Sequence, residues 1–341
     1  MNSNDTINLS GKTVLVTGGE GFIGSHLVEA LVRDGARVTA MAQYHPFGDV
    51  GWLDDLDEEI TAEIEVLRGN VCDAAFMHRA VAGQAIVFHL AALIAIPYSY
   101  EAPASYVDTN VTGTLNVLEA CRGHGVERVV HTSTSEVYGT ALVTPISEDH
   151  PLQGQSPYSA SKIGADMMAE AFARSFDLPV AILRPFNTYG PRQSERAVIP
   201  TVIRQALDPD CEAIRVGDTT PTRDFNYVED TVEAFRVIGT SVAIDYGRPY
   251  NTGTGMMVSV GEMIERVRTI TGTNKPVESE AARFRPENSE VRALIADPAR
   301  LNGATGWTPA TDLNAGLEKT VAWWQQRIAA NRVRRDSGYL L

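Results

Sequence analysis

An α/β fold, a doubly wound parallel sheet with a smaller C-terminal lobe, is what this sequence predicts, and three observations carry the prediction. Short β-branched apolar runs alternate with longer segments of helical period over the first half of the chain, the pattern of βαβ units. A glycine-spaced turn stands directly between the first apolar run and the first helical segment. After Pro185 the alternation weakens, and Pro, Gly and Arg interrupt the chain more often.

The elements follow in order. Val14-Leu15-Val16 reads as a short buried strand, and Phe22 to Val32 places apolar residues near helical spacing. Arg37 to Met41, Ile64 to Leu67, Ala85 to His89 and Arg128 to His131 continue the strand series, with helical stretches such as Val111 to Cys121 between them. Val180 to Leu183 and Ala213 to Val216 are two further strand candidates. These elements divide the chain into a first domain over residues 1–185 and a second lobe over 186–341, with some later segments returning to the first. Trp323-Trp324 is expected to pack a C-terminal helix, and the charged tail from Arg332 to Asp336 to fray.

Composition limits the function. The chain has 341 residues, enough for a full core. Its net charge of −14 argues against an electrostatic nucleic-acid binder. Local arginines and backbone N–H groups can still hold an anionic ligand. Three widely spaced cysteines, Cys72, Cys121 and Cys211, form no Cys-x-x-Cys pair. Packed thiols in a reducing cytoplasm are the expectation, with neither disulfides nor zinc. His26, His124, His131 and His150 show no metal-ligand spacing. Met1 to Ser10 is polar and no apolar run reaches membrane-spanning length, so neither export nor membrane insertion is expected.

Thr17-Gly18-Gly19-Glu20-Gly21-Phe22-Ile23-Gly24 lies between strand and helix. Gly18, Gly21 and Gly24 suit a tight turn, close approach to a pyrophosphate and close helix–strand packing. The amides of Phe22 and Ile23 open the helix and can receive phosphate oxygens. A dinucleotide cofactor is therefore expected. The second strand ends in Met41-Ala42-Gln43-Tyr44, where an NAD site usually carries Asp or Glu for the ribose. Ala42 stands there, and no Arg follows to hold a 2′-phosphate. NAD is the cofactor expected, with NADP left open.

Downstream come Thr132-Ser133-Thr134-Ser135-Glu136-Val137-Tyr138-Gly139 and then Tyr158-Ser159-Ala160-Ser161-Lys162. Tyr158 and Lys162 share a helix face at four-residue spacing. A nearby ammonium favours phenolate, and Thr134 is placed to bridge a substrate hydroxyl to the phenol. Such a trio suits removing a proton from an alcohol while a cofactor takes hydride. Glu136 adds a carboxylate for a second proton abstraction. Each part has a bland counterpart: packed tyrosines with solvated lysines are common on helices, and Ser/Thr runs after strands are often turns or caps. The order of glycine loop, hydroxyl-rich strand end and Tyr-x-x-x-Lys separates this chain from those.

With these residues in view, the chain resembles the extended short-chain dehydrogenase/reductase superfamily, and within it the nucleotide-sugar epimerase/dehydratase enzymes. The likeness runs from about Lys12 to about Trp324. It takes in His89-Leu90-Ala91-Ala92, Asn110, Arg184-Pro185-Phe186-Asn187-Thr188-Tyr189-Gly190-Pro191-Arg192 and Arg223-Asp224-Phe225-Asn226-Tyr227. Leu90 to Tyr100 and Pro151 to Tyr158 are most similar to bacterial 4,6-dehydratases of legionaminic-acid-type pathways, which act on nucleotide-linked N-acetylglucosamine. Ser135-Glu136 stands as in the GDP-mannose dehydratases, where dTDP-glucose enzymes carry Asp-Glu; UDP-glucuronate decarboxylases also show Thr-Ser-Glu.

The resemblance implies a Rossmann-type NAD domain and roles at matching positions. Tyr158 with Lys162 would take the 4-hydroxyl proton, Glu136 the C5 proton, and Ser135 or Glu136 would assist loss of the C6 hydroxyl. Asn70, Val71, Leu90, Ala91, Ala92 and Asn110 would border the cofactor, and His89 would be structural. Asn187, Arg223 and Arg285 would meet the diphosphate, Glu290 the nucleotide ribose, and Tyr98 the sugar pocket. Arg192 fits a turn and a phosphate contact equally. The implied function is an NAD-dependent nucleotide-sugar 4,6-dehydratase acting on an N-acetylglucosamine-type sugar. A decarboxylase or 4-epimerase of the same superfamily, or a non-catalytic NAD(P)-sensing protein, are the alternatives. A homodimer through the helix before Gly123 and the helix bearing Tyr158 is expected by the same resemblance.

Overall fold

The computed structural model describes residues 6–333. Six strands arise where the β-branched runs predicted them: β1 (Thr13–Thr17), β2 (Arg37–Ala42), β3 (Ile64–Arg68), β4 (Ile86–His89), β5 (Arg128–Thr132) and β6 (Val180–Pro185). Four short strands follow, β7 (Asn187–Tyr189), β8 (Ile214–Val216), β9 (Thr222–Arg223) and β10 (Phe225–Tyr227). The chain then returns as β11 (Pro249–Thr252) beside β6. β12 (Val258–Ser259), β13 (Val277–Ser279) and β14 (Ala293–Leu294) come last.

The main sheet has seven strands in the order β11-β6-β5-β4-β1-β2-β3, and every pairing is parallel. Helices cover both faces, so Val14, Leu15 and Val16 are fully buried and the strands read as continuous apolar runs. The helix Phe22–Arg33 packs on the helix Val228–Thr240. The helix Gly113–His124 lies against the helices Ala74–Val81 and Pro157–Phe176. β1 has β2 on one side and β4 on the other. Strand order reverses there, and the crevice beyond the carboxyl ends of β1 and β4 is where such sheets bind ligands.

Three local readings are refined. The helix expected from Val111 begins its α-form at Gly113, after a π-wound turn over Val107–Thr112. That wider turn seats the buried Asn110, whose amide is used on both sides. Cys121 and Cys211 are packed as expected, but Cys72 is exposed, because it lies in a turn held by the Asn70 side chain. Arg332 is paired with Asp55 at 3.2 Å; the tail beyond Val333 lies outside the described residues. Trp324 is buried in the core, and Trp323 packs edge-on against Trp52.

Short strands outside the main sheet order the later chain. β9 pairs with β12 antiparallel and with β14 in parallel, and β7 pairs with β10. Arg223 is therefore opposite Leu294, and Asn187 opposite Phe225. The β9–β14 pairing also sets Arg223 close to the segment that carries Glu290, its ion-pair partner.

Candidate active site

The glycine loop lies at the reversal of strand order. No side chain caps Gly21 at the start of the helix Phe22–Arg33, so the first-turn amides of Phe22, Ile23 and Gly24 are left for an external acceptor. Gly18 has φ +69°, and a Cβ there would sit 2.8 Å from the Ala91 nitrogen. A Cβ on Gly24 would sit 2.0 Å from the Gly18 carbonyl oxygen. Only glycine permits this cradle. Thr17 Oγ1 accepts from the amides of Leu90 and Ala91, both at 3.2 Å, and contacts His89 Nδ1 at 2.8 Å. His89 Nε2 meets Thr114 at 3.0 Å, so the buried imidazole is structural and ties β1 to β4. Asn110 Oδ1 accepts from Leu93 N at 2.8 Å and its Nδ2 donates to Leu93 O and Ser161 Oγ, both at 2.9 Å. That clamp fixes the chain after Leu90-Ala91-Ala92. The buried Val71 packs on Gly113, while Asn70 is exposed and turned into its own loop. These groups fit a dinucleotide: uncapped amides for phosphate, backbone without side chains at the closest approach, and apolar flanks for rings.

Ser156 begins the helix Pro157–Phe176 with a reciprocal cap to Ser159, and Pro157 sits in its first turn. This start sets Tyr158 and Lys162 on one face, both buried. Thr134 caps the short helical turn Ser135–Tyr138 by accepting from Glu136 N at 3.2 Å. Burial pushes the Tyr158 phenol up, the Thr134 hydroxyl beside it pulls it back, and the Glu136 carboxylate pushes it up again. The sequence led us to expect the Lys162 ammonium to favour phenolate; in the protein by itself burial wins and Tyr158 is protonated at neutral pH. Lys162 Nζ donates to Thr132 O at 2.5 Å. Burial pushes its ammonium down to about 8, against the pull of Asp166.

Behind Lys162 is a polar network that the sequence reading passed over. Ser133 Oγ donates to Asp166 Oδ2 at 2.7 Å, Arg184 Nε donates to the same oxygen at 3.0 Å, and His131 Nε2 lies 3.2 Å from Oδ1. Burial pushes Asp166 up, but His131 and Arg184 outweigh it and hold the carboxyl at about 2. Arg184 continues to Tyr138, whose hydroxyl donates to Asn251 at 2.7 Å. Asp166 stands four residues past Lys162 on the same helix, a spacing that was available in the sequence.

Glu136 faces a cluster assembled from the later chain. Arg285 Nη1 lies 4.0 Å from Glu136 Oε1, too far for a hydrogen bond, and Arg285 Nε lies 3.9 Å from Glu290. Glu290 is bound by Arg223 at 3.0 Å. Arg285 Nη1 and Asn187 Nδ2 are buried donors without a hydrogen-bond partner among the described residues. Ser289, next to Glu290, is held by Tyr100 at 2.5 Å and by Gln155 O at 2.7 Å. Tyr98 is 41% exposed and packs on Tyr106, which packs on Tyr158. Ser135 is buried beside Glu136. The structure thus brings together Thr134, Ser135, Glu136, Tyr158, Lys162, Arg223, Arg285 and Glu290. Arg192 stands apart: with φ +68° it turns its guanidinium onto Glu29 of the first helix at 3.0 Å.

A parallel sheet with an uncapped glycine cradle at the strand ends fits a dinucleotide-dependent enzyme. Comparison with known proteins gives the family. The family model described as GDP-mannose 4,6 dehydratase matches residues 15–320. The dTDP-glucose 4,6-dehydratase of Streptomyces griseus is 35% identical over 321 residues, covering 92% of this chain and 94% of that protein. The UDP-glucose 4-epimerase of Mycolicibacterium smegmatis is 33% identical over 319 residues, covering 92% and 98%. The solved structure of MoeE5 in complex with UDP-glucuronic acid and NAD has a TM-score of 0.80 and 34% identity, covering 92% of this chain and 99% of that one. Relatives also include a decarboxylase of UDP-N-acetylglucosaminuronate. The chain belongs to the GDP-mannose 4,6-dehydratase family of NAD-dependent nucleotide-sugar enzymes in the extended short-chain dehydrogenase/reductase superfamily.

Proposed function

We propose that this protein is an NAD-dependent nucleotide-sugar 4,6-dehydratase, acting on a nucleotide-linked sugar of the N-acetylglucosamine type. The observation that carries the reading is Glu136, a carboxylate beside the Thr134–Tyr158 pair and facing Arg223 and Arg285. Alcohol oxidation or 4-epimerisation needs Tyr158, Lys162 and Thr134; neither needs a second base at this place. Dehydration does.

NAD, when bound, would supply a hydride acceptor for C4 and a hydride donor for C6, so no external oxidant would be consumed. Tyr158, protonated in the protein by itself, would act from the phenolate that the Lys162 ammonium and the positive nicotinamide ring of bound NAD together favour, and would then take the C4 hydroxyl proton through or beside Thr134. The resulting 4-keto group acidifies C5–H, and Glu136 removes that proton. The C5–C6 double bond forms as the C6 hydroxyl leaves, and the proton held by Glu136 completes the water, with Ser135 alongside; hydride addition at C6 then leaves an enolate that takes one proton at C5, balancing the one Tyr158 removed from the 4-hydroxyl. Arg223, Arg285 and Asn187 hold the diphosphate, and Glu290 holds the nucleotide ribose. Arginine forks suit that task.

A second reading, a uronic-acid decarboxylase, is supported by the relative named UDP-N-acetyl-alpha-D-glucosaminuronate decarboxylase, 33% identical over 328 residues. Incubation with UDP-, GDP-, CDP- and dTDP-sugars, glucuronate included, and product masses distinguishes the two. Loss of one water from a hexose is the expected result. Loss of carbon dioxide from the glucuronate replaces the dehydratase by the decarboxylase, and unchanged mass with inverted C4 replaces it by an epimerase.

A further inference from the structure

The second strand ends without the carboxylate that an NAD site uses, and the glycine loop contains one that the mechanism does not use. Ala42, at the end of β2, is buried and offers no acceptor side chain. Glu20, inside the loop, reaches across to that strand end: its Oε1 accepts from the backbone amide of Gln43 at 3.0 Å. The loop is joined to the same strand by Gly19 N donating to Met41 O at 3.0 Å. From the other side, Trp52 N donates to Glu20 O at 3.0 Å, and a Cβ on Gly51 would meet that oxygen at 2.8 Å. The carboxylate is therefore pinned just past the carboxyl end of β2. Its second oxygen, Oε2, is closed off from solvent and has no hydrogen-bond partner among the described residues.

A buried carboxylate oxygen with nothing to accept is uncommon in a folded protein. In a sheet of this kind, an acidic side chain at the end of the second strand meets the adenosine ribose. We propose that Glu20 takes the place of the missing β2 carboxylate: its Oε2 accepts the 2′-hydroxyl of the adenosine ribose and selects NAD against NADP. The inference rests on the NAD reading of the loop. A 2′-phosphate would bring negative charge onto the carboxylate and remove the donor that the carboxylate requires. Selection thus comes from the loop itself.

The test is calorimetric titration of the full chain, freed of bound nucleotide, with NAD, NADP and 2′-deoxy-NAD. Wild type is expected to prefer NAD over NADP by about a hundredfold and over 2′-deoxy-NAD by about tenfold or more, the range set by leaving a buried charged acceptor unpaired. In E20Q the NAD-to-NADP ratio falls by about tenfold or more, and in E20A the penalty for 2′-deoxy-NAD disappears. Gln43→Ala leaves both ratios unchanged, since Gln43 contributes only its backbone. Folded E20Q and E20A with wild-type ratios overturn the assignment of Glu20 while leaving the NAD reading intact. Equal binding of NAD and 2′-deoxy-NAD by wild type overturns it without any variant. Failure of wild type to bind NAD overturns the NAD reading and the proposal together.

Discussion

At the scale of single residues, the proposed chemistry turns on Glu136 and Lys162. Glu136 has a defined task, so Glu136→Gln is expected to bind NAD and reduce it transiently on mixing with substrate, yet to lose C5 proton exchange with solvent by about 100-fold or more. Exchange at the wild-type rate would remove Glu136 from the mechanism. Lys162 is pushed down to about 8 by burial, below the value of about 10.4 for a lysine in the unfolded chain. The sign is that of a depressed group: stability from Lys162 is present above about pH 10.4 and lost as pH falls through about 8. Catalysis runs the other way, since the ammonium that supports the Tyr158 phenolate disappears above about pH 8. Single-turnover formation of reduced NAD should fall across that range, and Lys162→Arg should move the fall to higher pH. A flat profile up to about pH 10 would show that the Lys162 charge is not required.

At the scale of elements, the site depends on turns whose backbone no other residue can replace. Gly24 lies under the Gly18 carbonyl, and a methyl group there would stand 2.0 Å from backbone oxygen. Gly24→Ala is expected to weaken NAD binding by about tenfold to a hundredfold, the equivalent of about 1–3 kcal/mol of overpacking. The sheet core does not involve this contact, so circular dichroism should show a folded protein. Unchanged affinity in such a protein would place the cofactor elsewhere. The same logic explains the helix Pro157–Phe176. Its Ser156 cap and Pro157 are local signals, and they set the rotation that turns Tyr158, Lys162 and Asp166 inward.

For the whole molecule, the helices Gly113–His124 and Pro157–Phe176 pack together and leave Val107, Met167 and Phe176 exposed beside them. We propose a homodimer through this pair, a four-helix contact in which these exposed apolar side chains would be covered. Light scattering of the wild type should give twice the chain mass, and Met167→Asp should shift it toward one. A monomeric wild type would discard the dimer.

Much was legible in the sequence because it is written locally. The glycine spacing, the strand series from Val14 to Leu183, the Ser-Pro helix start and the Tyr158–Lys162 spacing each depend on a few consecutive residues, and backbone sterics or helix periodicity decides them. Tertiary structure alone decided the rest. It set Arg223, Arg285 and Glu290 against Glu136, returned Pro249–Thr252 to the edge of the sheet, and brought Glu20 to the end of the second strand. It also reversed the expected balance at Tyr158, where burial outweighs the ammonium that helical spacing suggested. Local pattern specifies which elements form. The register of distant strands and the depth of burial decide which side chains meet and what charge they carry there, and neither quantity exists until the chain has closed on itself.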